Sequence, residues 1–427
     1  MLKVAWLRVL LRGSLWRLVK VAVNTSVHEL VRECLKGIHE RVTYKFMEEA
    51  VSLAEKGLDV ISFGIGQPDF GAPSFVVEEA KKALDKGLTR YTSPKGTVGF
   101  REAVVEYARR EYGVEVKPCE VIAVPGGSTG IFMSLYLFAG PGDKVLVPDP
   151  GFPQYFDAIR ALGAKPVPVR LREEPEGFRM DPRDVQEALE TNTGVKAMIV
   201  NSPHNPTGMM ISREDFMRIL DEARDHGVVV ISDEVYDHFT YDDEHTSCLQ
   251  HPDWRSFCIH VNSLSKTYGM TGWRIGFIIA ESKVIDRLSA LANATYGCLQ
   301  PFIMKAAEKA LRSSLEWFEE IKKEYKARRD LVHRELNSLP GFKCPRPRGA
   351  FYAYPNASEA LKKLGLRNTE EFARKLLESK GVLMLPGTAF SLLQGHEYLR
   401  ISYALPKDRI LEGLSRVREF IEENDAR

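Results

Sequence analysis

The chain has 427 residues, of which 44% are hydrophobic, and this is enough for two domains with sizeable cores. Its 59 Lys and Arg residues against 58 Asp and Glu residues leave a net charge of +1, so no global field favours nucleic acid or an anionic surface. The six cysteines form no C-x-x-C pair, which indicates free thiols in a reducing compartment and predicts a cytoplasmic protein. None of the ten histidines falls in a spacing such as H-E-x-x-H, so no metal site is predicted.

Residues 1–27 form a basic and apolar extension. From Lys3 to Lys20 the segment carries five basic residues among Trp, Leu and Val, and no acidic residue precedes Glu29. It is too short and too charged to span a bilayer, so no integral membrane segment is predicted. An amphipathic helix at a membrane surface, a transit-like segment, and a disordered or mis-called extension stay open, and we favour the last.

A glycine turn between a strand and a helix is a candidate anion site. Residues 121–124 are apolar and predict a short strand, and residues 131–139 predict a helix. Between them, residues 125–130 (PGGSTG) place backbone N–H groups at a helix N-terminus, where phosphate binds. The turn has neither the G-x-G-x-x-G spacing nor a closing Gly-Lys-Ser/Thr, so a nicotinamide or ATP enzyme is not expected.

Three later apolar runs each end in a polar segment. Residues 195–200 lead into 201–208 (NSPHNPTG), residues 228–231 into 232–236 (SDEVY), and residues 257–262 into 265–274 (SKTYGMTGWR). Each run predicts a buried strand, and ligands of α/β proteins bind where the chain leaves the sheet. Lys266 lies in a glycine-rich bend at such a point, where an amine suits a carbonyl cofactor. It is therefore predicted to be a Schiff-base lysine.

The coarse organisation alternates strands and helices from about residue 63 to 299. Helices are predicted over residues 99–112 and 212–226. The alternation predicts a largely parallel sheet with helices on both faces. Residues 301–336 predict one helix that joins a large domain to a small one, and residues 398–403 alternate as a strand that carries Arg400.

The three ordered motifs resemble the class I pyridoxal-phosphate (PLP) aminotransferases, the aspartate-aminotransferase-like group of PLP fold type I. The resemblance runs from about Val60 to Tyr403. It implies an α/β large domain with a mainly parallel, seven-stranded-type sheet flanked by helices, and a small α+β domain. The implied division is an extension (1–27), an N-terminal arm packing with the small domain (28–61), a large PLP-binding domain (62–310), and a linking helix with the small domain (311–427).

The resemblance also implies roles around the cofactor. Lys266 holds PLP as a Schiff base and moves protons, and Asp233 keeps the pyridine nitrogen protonated. Asn205 and Tyr236 donate to the phenolic oxygen of the cofactor, and Phe152 covers the ring. The phosphate is bound by the glycine turn, by Ser265, by the guanidinium of Arg274, and by a tyrosine of the neighbouring subunit; these residues are Gly127, Ser128, Thr129, Ser265, Arg274 and Tyr91.

On the substrate side, Arg400 resembles the arginine that binds the α-carboxylate, and Asn205 contributes as well. Gly66 resembles the glycine whose backbone approaches the substrate. If Tyr91 reaches a neighbouring site, the protein is a homodimer with shared active sites. A small domain that carries Arg400 could then close over the cofactor.

The implied reaction is ping-pong transamination between an L-amino acid and a 2-oxo acid. A PLP-dependent C–S lyase or a cyclising synthase of the same fold is an alternative, because it would share Lys266, Asp233, Asn205 and Arg274. A PLP-fold transcriptional regulator is a remote alternative, since little chain precedes the first motif for a DNA-binding domain. The substrate stays open: Ser128 and the neighbouring Thr129 offer no second cation for aspartate, so aromatic, alanine-type or broad specificity fits equally.

Overall fold

The computed structural model describes residues 4–7, 19–22, 35, 42–174 and 176–425. The chain divides into two compact units, Met1–His39 and Glu40–Arg427. In the first unit, β1 (Val4–Leu7) pairs antiparallel with β2 (Val19–Ala22), with Val4 opposite Ala22. These stretches are strands, so the alternative of an amphipathic helix is wrong where the extension is described. The rest of residues 1–27 lies outside the described residues.

The second unit contains the elements named below, all of them within residues 42–174 and 176–425. The strands are β3 (Ile61–Ser62), β4 (Val121–Val124), β5 (Lys144–Asp149), β6 (Lys165–Arg170), β7 (Arg172–Glu174), β8 (Gly177–Arg179), β9 (Val195–Asn201), β10 (Val229–Asp233), β11 (Cys258–Ser263), β12 (Gly276–Ile279), β13 (Tyr352–Ala353), β14 (Val382–Leu383), β15 (Leu385–Pro386) and β16 (Leu399–Ser402). The helices are α1 (Val42–Glu55), α2 (Ser74–Asp85), α3 (Val98–Tyr112), α4 (Gly127–Phe138), α5 (Pro153–Ala161), α6 (Pro182–Thr191), α7 (Arg213–Asp225), α8 (Trp254–Phe257), α9 (Ser282–Thr295), α10 (Pro301–Arg312), α11 (Glu316–Ser338), α12 (Ser358–Lys363), α13 (Thr369–Lys380) and α14 (Lys407–Asn424).

A seven-stranded sheet forms the centre of the second unit. Its strand order is β4–β12–β11–β10–β9–β5–β6. Strands β11, β10, β9, β5 and β6 pair in parallel, whereas β12 runs antiparallel to both of its neighbours, β11 and β4. The predicted α/β fold with a mainly parallel seven-stranded sheet is therefore confirmed.

Helices cover both faces of this sheet because its strands are apolar on both sides. Along β4, Ile122 and Val124 pack with residues of α4, α5 and α9, whereas Val121 and Ala123 belong to the core that includes α3 and α10. Side chains of successive strand residues point to opposite faces, so one strand serves two cores. This accounts for the continuous apolar runs seen in the sequence.

The chain beyond the sheet differs from the prediction at one point. Residues 301–336 do not form one helix: α10 ends at Arg312 and α11 begins at Glu316. The break has a local cause, because Ser313 adopts an extended conformation after α10 and the Ser314 hydroxyl accepts a hydrogen bond from the backbone N–H of Glu316 (3.2 Å). Serine competes for backbone hydrogen bonds in this way and favours helix ends.

The two ends of the second unit pack together. Strand β3 pairs in parallel with β14, with Ile61 opposite Val382, and α1 packs on β14, β15 and α13. A three-stranded antiparallel sheet, ordered β13–β16–β15, carries Arg400 on its central strand. The boundaries 28–61, 62–310 and 311–427 stay a prediction, since Glu40–Arg427 is one compact unit. Within the described part of the chain, no helix is both long and apolar enough to cross a membrane.

Candidate active site

A cavity of about 370 Å³ opens at the carboxyl ends of the parallel strands. The polar segments after β9, β10 and β11 all reach it, as expected for ligand sites of α/β sheets. Most of the predicted site residues line this cavity, namely Gly66, Gly127, Ser128, Phe152, Asn205, Asp233, Tyr236, Ser265, Lys266, Arg274 and Arg400. The exceptions among the predicted residues are Thr129 and Tyr91.

Lys266 lies in the bend that follows β11. Its Nζ donates a hydrogen bond to the carbonyl oxygen of Gly66 (2.6 Å) and lies 5.4 Å from the ring centre of Tyr236. Burial, together with the positive charges of Arg400 and Arg274, lowers the pKa of Lys266 from 10.5 to about 8, and Asp233 opposes this shift. The amine is therefore far easier to deprotonate near neutral pH than an ordinary lysine.

Asp233 ends strand β10, and its carboxylate is buried, with 4% of the residue exposed. Its Oδ2 accepts a hydrogen bond from the hydroxyl of Tyr155 (2.5 Å), and its Oδ1 accepts one from the backbone N–H of Val235 (3.3 Å). Burial raises the pKa of Asp233 to about 6, although these hydrogen bonds and the charge of Lys266 act in the opposite direction. A buried carboxylate of this kind suits a protonated ring nitrogen as its partner.

The loop after β9 places two asparagines beside Asp233. Asn201 donates through Nδ2 to the backbone oxygen of Asp233 (2.8 Å), and its Oδ1 accepts from the backbone N–H of Asn205 (2.9 Å). The Oδ1 atom of Asn205 is buried and has no hydrogen-bond partner. Because buried polar atoms are normally paired and rotation of the amide exchanges its oxygen and its NH2 group, Asn205 can present either an acceptor or a donor to a polar ligand in the cavity.

The glycine turn and Arg274 lie together at the N-terminus of α4. Gly126 adopts a positive φ of 80°, and a Cβ added there would lie 2.6 Å from an Nη atom of Arg274. The positive φ favours glycine here, and the absence of a side chain leaves the space in which the guanidinium lies against the turn. Arg274 donates to the backbone oxygens of Thr271 (3.0 Å) and Pro125 (3.3 Å), so its side chain is held at the helix end.

Other predicted phosphate ligands differ in their placement. The hydroxyl oxygen of Ser265 lies 2.8 Å from that of Ser263 at the cavity wall. The hydroxyl of Thr129 instead donates to the backbone oxygen of Pro125 (3.1 Å), and this residue does not line the cavity. Tyr91 is 97% exposed and also lies off the wall, so within its own chain it contributes nothing to the cavity. The roles of Thr129 and Tyr91 stay predictions.

Arg400 approaches the cavity from β16. Its guanidinium contacts two rings, 4.8 Å from the centre of Tyr352 and 4.9 Å from that of Phe390. It donates to the backbone oxygen of Gly64, while its Nε has no hydrogen-bond partner. Burial lowers the pKa of Arg400, since the charged form has lost water. The guanidinium is fixed in place, yet not all of its N–H groups have hydrogen-bond partners, and such a group suits a carboxylate ligand.

Several wall residues were not predicted from the sequence. Tyr155 follows Phe152 by three residues, so its place one turn into α5 could have been read from helical spacing. Tyr352 and Phe390 come from distant segments and carry no local signal. Helix α1 contributes Thr43, Tyr44 and Met47, which no sequence motif marks.

Together these residues fit PLP. The aldehyde, ring nitrogen, phenolic oxygen and phosphate of that cofactor call for an amine, a buried carboxylate, a hydrogen-bond donor and a cationic helix end, and the cavity wall offers Lys266, Asp233, the amide of Asn205 and Arg274. Among the described residues, no cluster of His, Cys, Asp and Glu could hold a metal ion.

Comparisons with known proteins agree with this fit. The family "Aminotransferase class I and II" matches residues 58–417. Aspartate aminotransferase from Pyrococcus horikoshii is 40% identical over 88% of this chain and 94% of its own length, and aspartate aminotransferase from Sulfolobus acidocaldarius is 38% identical over 86% and 91%. The solved structure of Thermus thermophilus aspartate aminotransferase with maleate is 31% identical, with a TM-score of 0.85 over 91% of this chain and 99% of that one. The chain therefore belongs to the class I and II aminotransferases and is a PLP-dependent enzyme of fold type I that transfers the amino group of an L-amino acid to a 2-oxo acid.

Proposed function

We propose that Lys266 holds the cofactor and moves the substrate proton in this transamination. The observation that carries the proposal is the meeting of Lys266, Asp233, Arg274 and Arg400 in one cavity. They are the charged side chains that line it among the described residues. No two of them are neighbours in sequence, so the fold itself assembles the group.

The cofactor half of the cavity is proposed to use four polar contacts. Bound PLP supplies an electron sink that stabilises negative charge at the substrate α-carbon. Burial destabilises the charged carboxylate of Asp233, and a protonated ring nitrogen beside it would compensate for this. Asp233 would in this way hold the proton at the ring nitrogen. Asn205 and Tyr236 donate to the phenolic oxygen, and Arg274 holds the phosphate against the turn that begins α4.

Lys266 is proposed to act as the base in the chemical step. Its lowered pKa of about 8 leaves part of the amine neutral near neutral pH, so Nζ can accept the α-proton and return it at the cofactor. Arg400 meanwhile binds the α-carboxylate and orients the bond to that proton. We expect Lys266→Ala to lower turnover by about 10²–10⁴-fold, the range for a positioned proton-transfer group.

The side chain of the substrate is proposed to meet a largely apolar wall. Ile65, Met47, Leu385 and Phe390 line the cavity, and among the described residues it offers no second cation besides those assigned above. Relatives are named for different substrates: besides the aspartate aminotransferases, aromatic-amino-acid aminotransferase 2 of Thermococcus litoralis is 36% identical over 90% of this chain. We therefore propose broad specificity that includes aromatic amino acids, with aspartate requiring a cation from a second subunit.

We also propose a homodimer with shared active sites. Support comes from exposed aromatic residues: Tyr91 is 97% exposed, and Phe132 and Tyr136 are exposed neighbours on α4, the helix that begins at the phosphate turn. In a dimer, Tyr91 of each copy would reach the phosphate of the other. Tyr91→Ala should bind the phosphate more weakly and Lys266→Ala should be inactive, and on mixing, random pairing should give hybrid dimers with one intact site, which restore native cofactor affinity to up to about one quarter of all sites. No recovery in confirmed heterodimers would refute the shared site.

A reducing location, the cytoplasm, is proposed as well. The described cysteines are free, and Cys248, Cys258 and Cys344 among them are buried. Such thiols need no disulfide partner and suit a reducing compartment. Cell fractionation with a redox-sensitive thiol label would test this.

The decisive test of the reaction is spectroscopic. The absorption of the PLP-loaded protein is recorded while one amino acid at a time (Asp, Phe, Tyr, Ala or Met) is added without a 2-oxo acid. A lasting change to the spectrum of the aminated cofactor identifies a donor. An unchanged spectrum with accumulation of pyruvate and ammonia would instead favour a lyase, and the Lys266→Ala protein serves as the negative control.

A further inference from the structure

Tyr352 is a buried residue of the active-site wall. It begins strand β13, where it pairs with Ser402 of β16, two residues from Arg400. Only 1% of its surface is exposed, yet it lines the cavity. A tyrosine placed there for packing alone would not need its hydroxyl in the site, so the contacts of that hydroxyl decide what it does.

The hydroxyl of Tyr352 meets two proposed site residues. It lies 2.8 Å from the hydroxyl of Tyr236, and the two rings meet edge to face with centres 5.7 Å apart. A Cβ added to Gly66 would lie 2.5 Å from the same Tyr352 oxygen. Tyr352 therefore occupies the space that a side chain at residue 66 would fill.

The ring of Tyr352 meets a third site residue. The guanidinium of Arg400 lies 4.8 Å from its centre, and the ring centre of Phe390 lies 4.9 Å from the same guanidinium. Cation–π contacts of this kind hold a guanidinium in a fixed plane. One side chain thus contacts both the donor proposed for the cofactor oxygen and the cation proposed for the substrate carboxylate.

We propose that Tyr352 is a positioning residue that orients the hydroxyl of Tyr236 toward the cofactor and the guanidinium of Arg400 toward the substrate. The inference rests on the proposed roles of Tyr236 and Arg400.

Proton counting gives the direction of the hydrogen bond. Each phenol has one proton, and burial raises the pKa of both Tyr236 and Tyr352, so both stay protonated. If Tyr236 donates to the phenolic oxygen of the cofactor, it must accept from Tyr352. A donor that itself accepts a hydrogen bond becomes stronger, so Tyr352 strengthens the stabilisation of the ionised cofactor oxygen.

The test compares pH titrations of the visible absorption band of bound PLP. Tyr352→Phe removes the hydroxyl and keeps the ring, so the midpoint should rise by about half a pH unit because the ionised oxygen is less stabilised. Tyr354→Phe is the matched control: it also removes a buried hydroxyl, which donates to the backbone oxygen of Gly387 (3.3 Å), but this residue does not line the cavity. Its midpoint should stay at the native value.

Tyr236→Phe separates failure of this inference from failure of the proposed function. It should raise the midpoint more than Tyr352→Phe does. A shift for Tyr236→Phe with none for Tyr352→Phe would overturn the inference and leave the role of Tyr236 intact. No shift in either variant would overturn both.

The second arm tests the ring. Tyr352→Leu removes the contact with Arg400, and the dissociation constant of hydrocinnamate, a carboxylate without an amino group, should rise about threefold or more. Tyr352→Phe should leave that constant near the native value. Equal binding of hydrocinnamate by the native protein and Tyr352→Leu would refute the positioning of Arg400.

Discussion

Lys266 should make the cofactor-free protein less stable than an apolar residue would. Its pKa is lowered from 10.5 to about 8 by burial and by the charges of Arg400 and Arg274. The unfolded chain therefore binds more protons than the native protein between these pH values, so stability rises with pH through that window. Below about pH 8 Lys266 is charged in both states, and the buried charge then lowers the free energy of unfolding by its full amount.

The size of the penalty follows from the shift. A lowering of about 2.5 pKa units corresponds to about 3 kcal/mol at about 1.4 kcal/mol per unit. Water in the open cavity screens part of this charge, so we expect about 2 kcal/mol at pH 7 and about 1 kcal/mol at pH 9.5. The variant Lys266→Met keeps an unbranched side chain and removes the charge, and it should gain stability by these amounts.

Urea unfolding of the cofactor-free proteins at both pH values measures the effect. Lys309→Met, at an exposed position on α10, is the control and should change the free energy of unfolding by no more than about 0.5 kcal/mol at either pH. A Lys266→Met protein no more stable than the native one at pH 7 would refute the buried-charge argument. A gain in the free energy of unfolding that is the same at pH 7 and at pH 9.5 would also refute it.

Three further changes test other parts of the site. Arg400→Lys should raise KM for amino acids about tenfold or more in steady-state kinetics, because an ammonium group cannot make the two-point contact with a carboxylate; an unchanged KM would contradict the role of Arg400. Asp233→Asn should retain PLP, as judged by its absorption, yet its kcat should fall about 10²–10⁴-fold, because the proton on the ring nitrogen is no longer held. A fall in kcat of less than tenfold would argue against the role of Asp233. Deletion of residues 1–27 should leave kcat/KM within about twofold, since the fold of Glu40–Arg427 is compact by itself, and a large loss would give the extension a catalytic role.

Local sequence was sufficient to predict the elements that carry the cofactor side of the site. The strand Val121–Val124 has the predicted bounds, and β9, β10 and β11 begin or end within two residues of their predicted ends. These strands are buried on both faces and are therefore continuously apolar, a pattern visible in a few residues. The helix after the glycine turn begins at Gly127, four residues earlier than predicted, and Gly126 is its N-cap. The prediction placed the start too late because glycine has a low helix propensity.

Tyr352 and Phe390 were missed from the sequence because long-range packing places them. Tyr352, for example, reaches Tyr236 across 116 residues. Helix propensity and strand periodicity extend over one element and cannot report such pairs. The break between α10 and α11 was missed for a different reason: its signal is a short serine-containing stretch inside an otherwise helical pattern.

The charge balance of the cavity connects its stability to its chemistry. Among the described residues its wall carries three cations, Lys266, Arg274 and Arg400, against one anion, Asp233. Burial and the positive charges of Arg400 and Arg274 together lower the pKa of Lys266. A phosphate and a substrate carboxylate would bring negative charge to the two arginines and relieve that repulsion. The excess of positive charge should therefore favour the binding of these anions, while burial, the largest cause of the lowered pKa of Lys266, continues to favour the neutral amine proposed as the base.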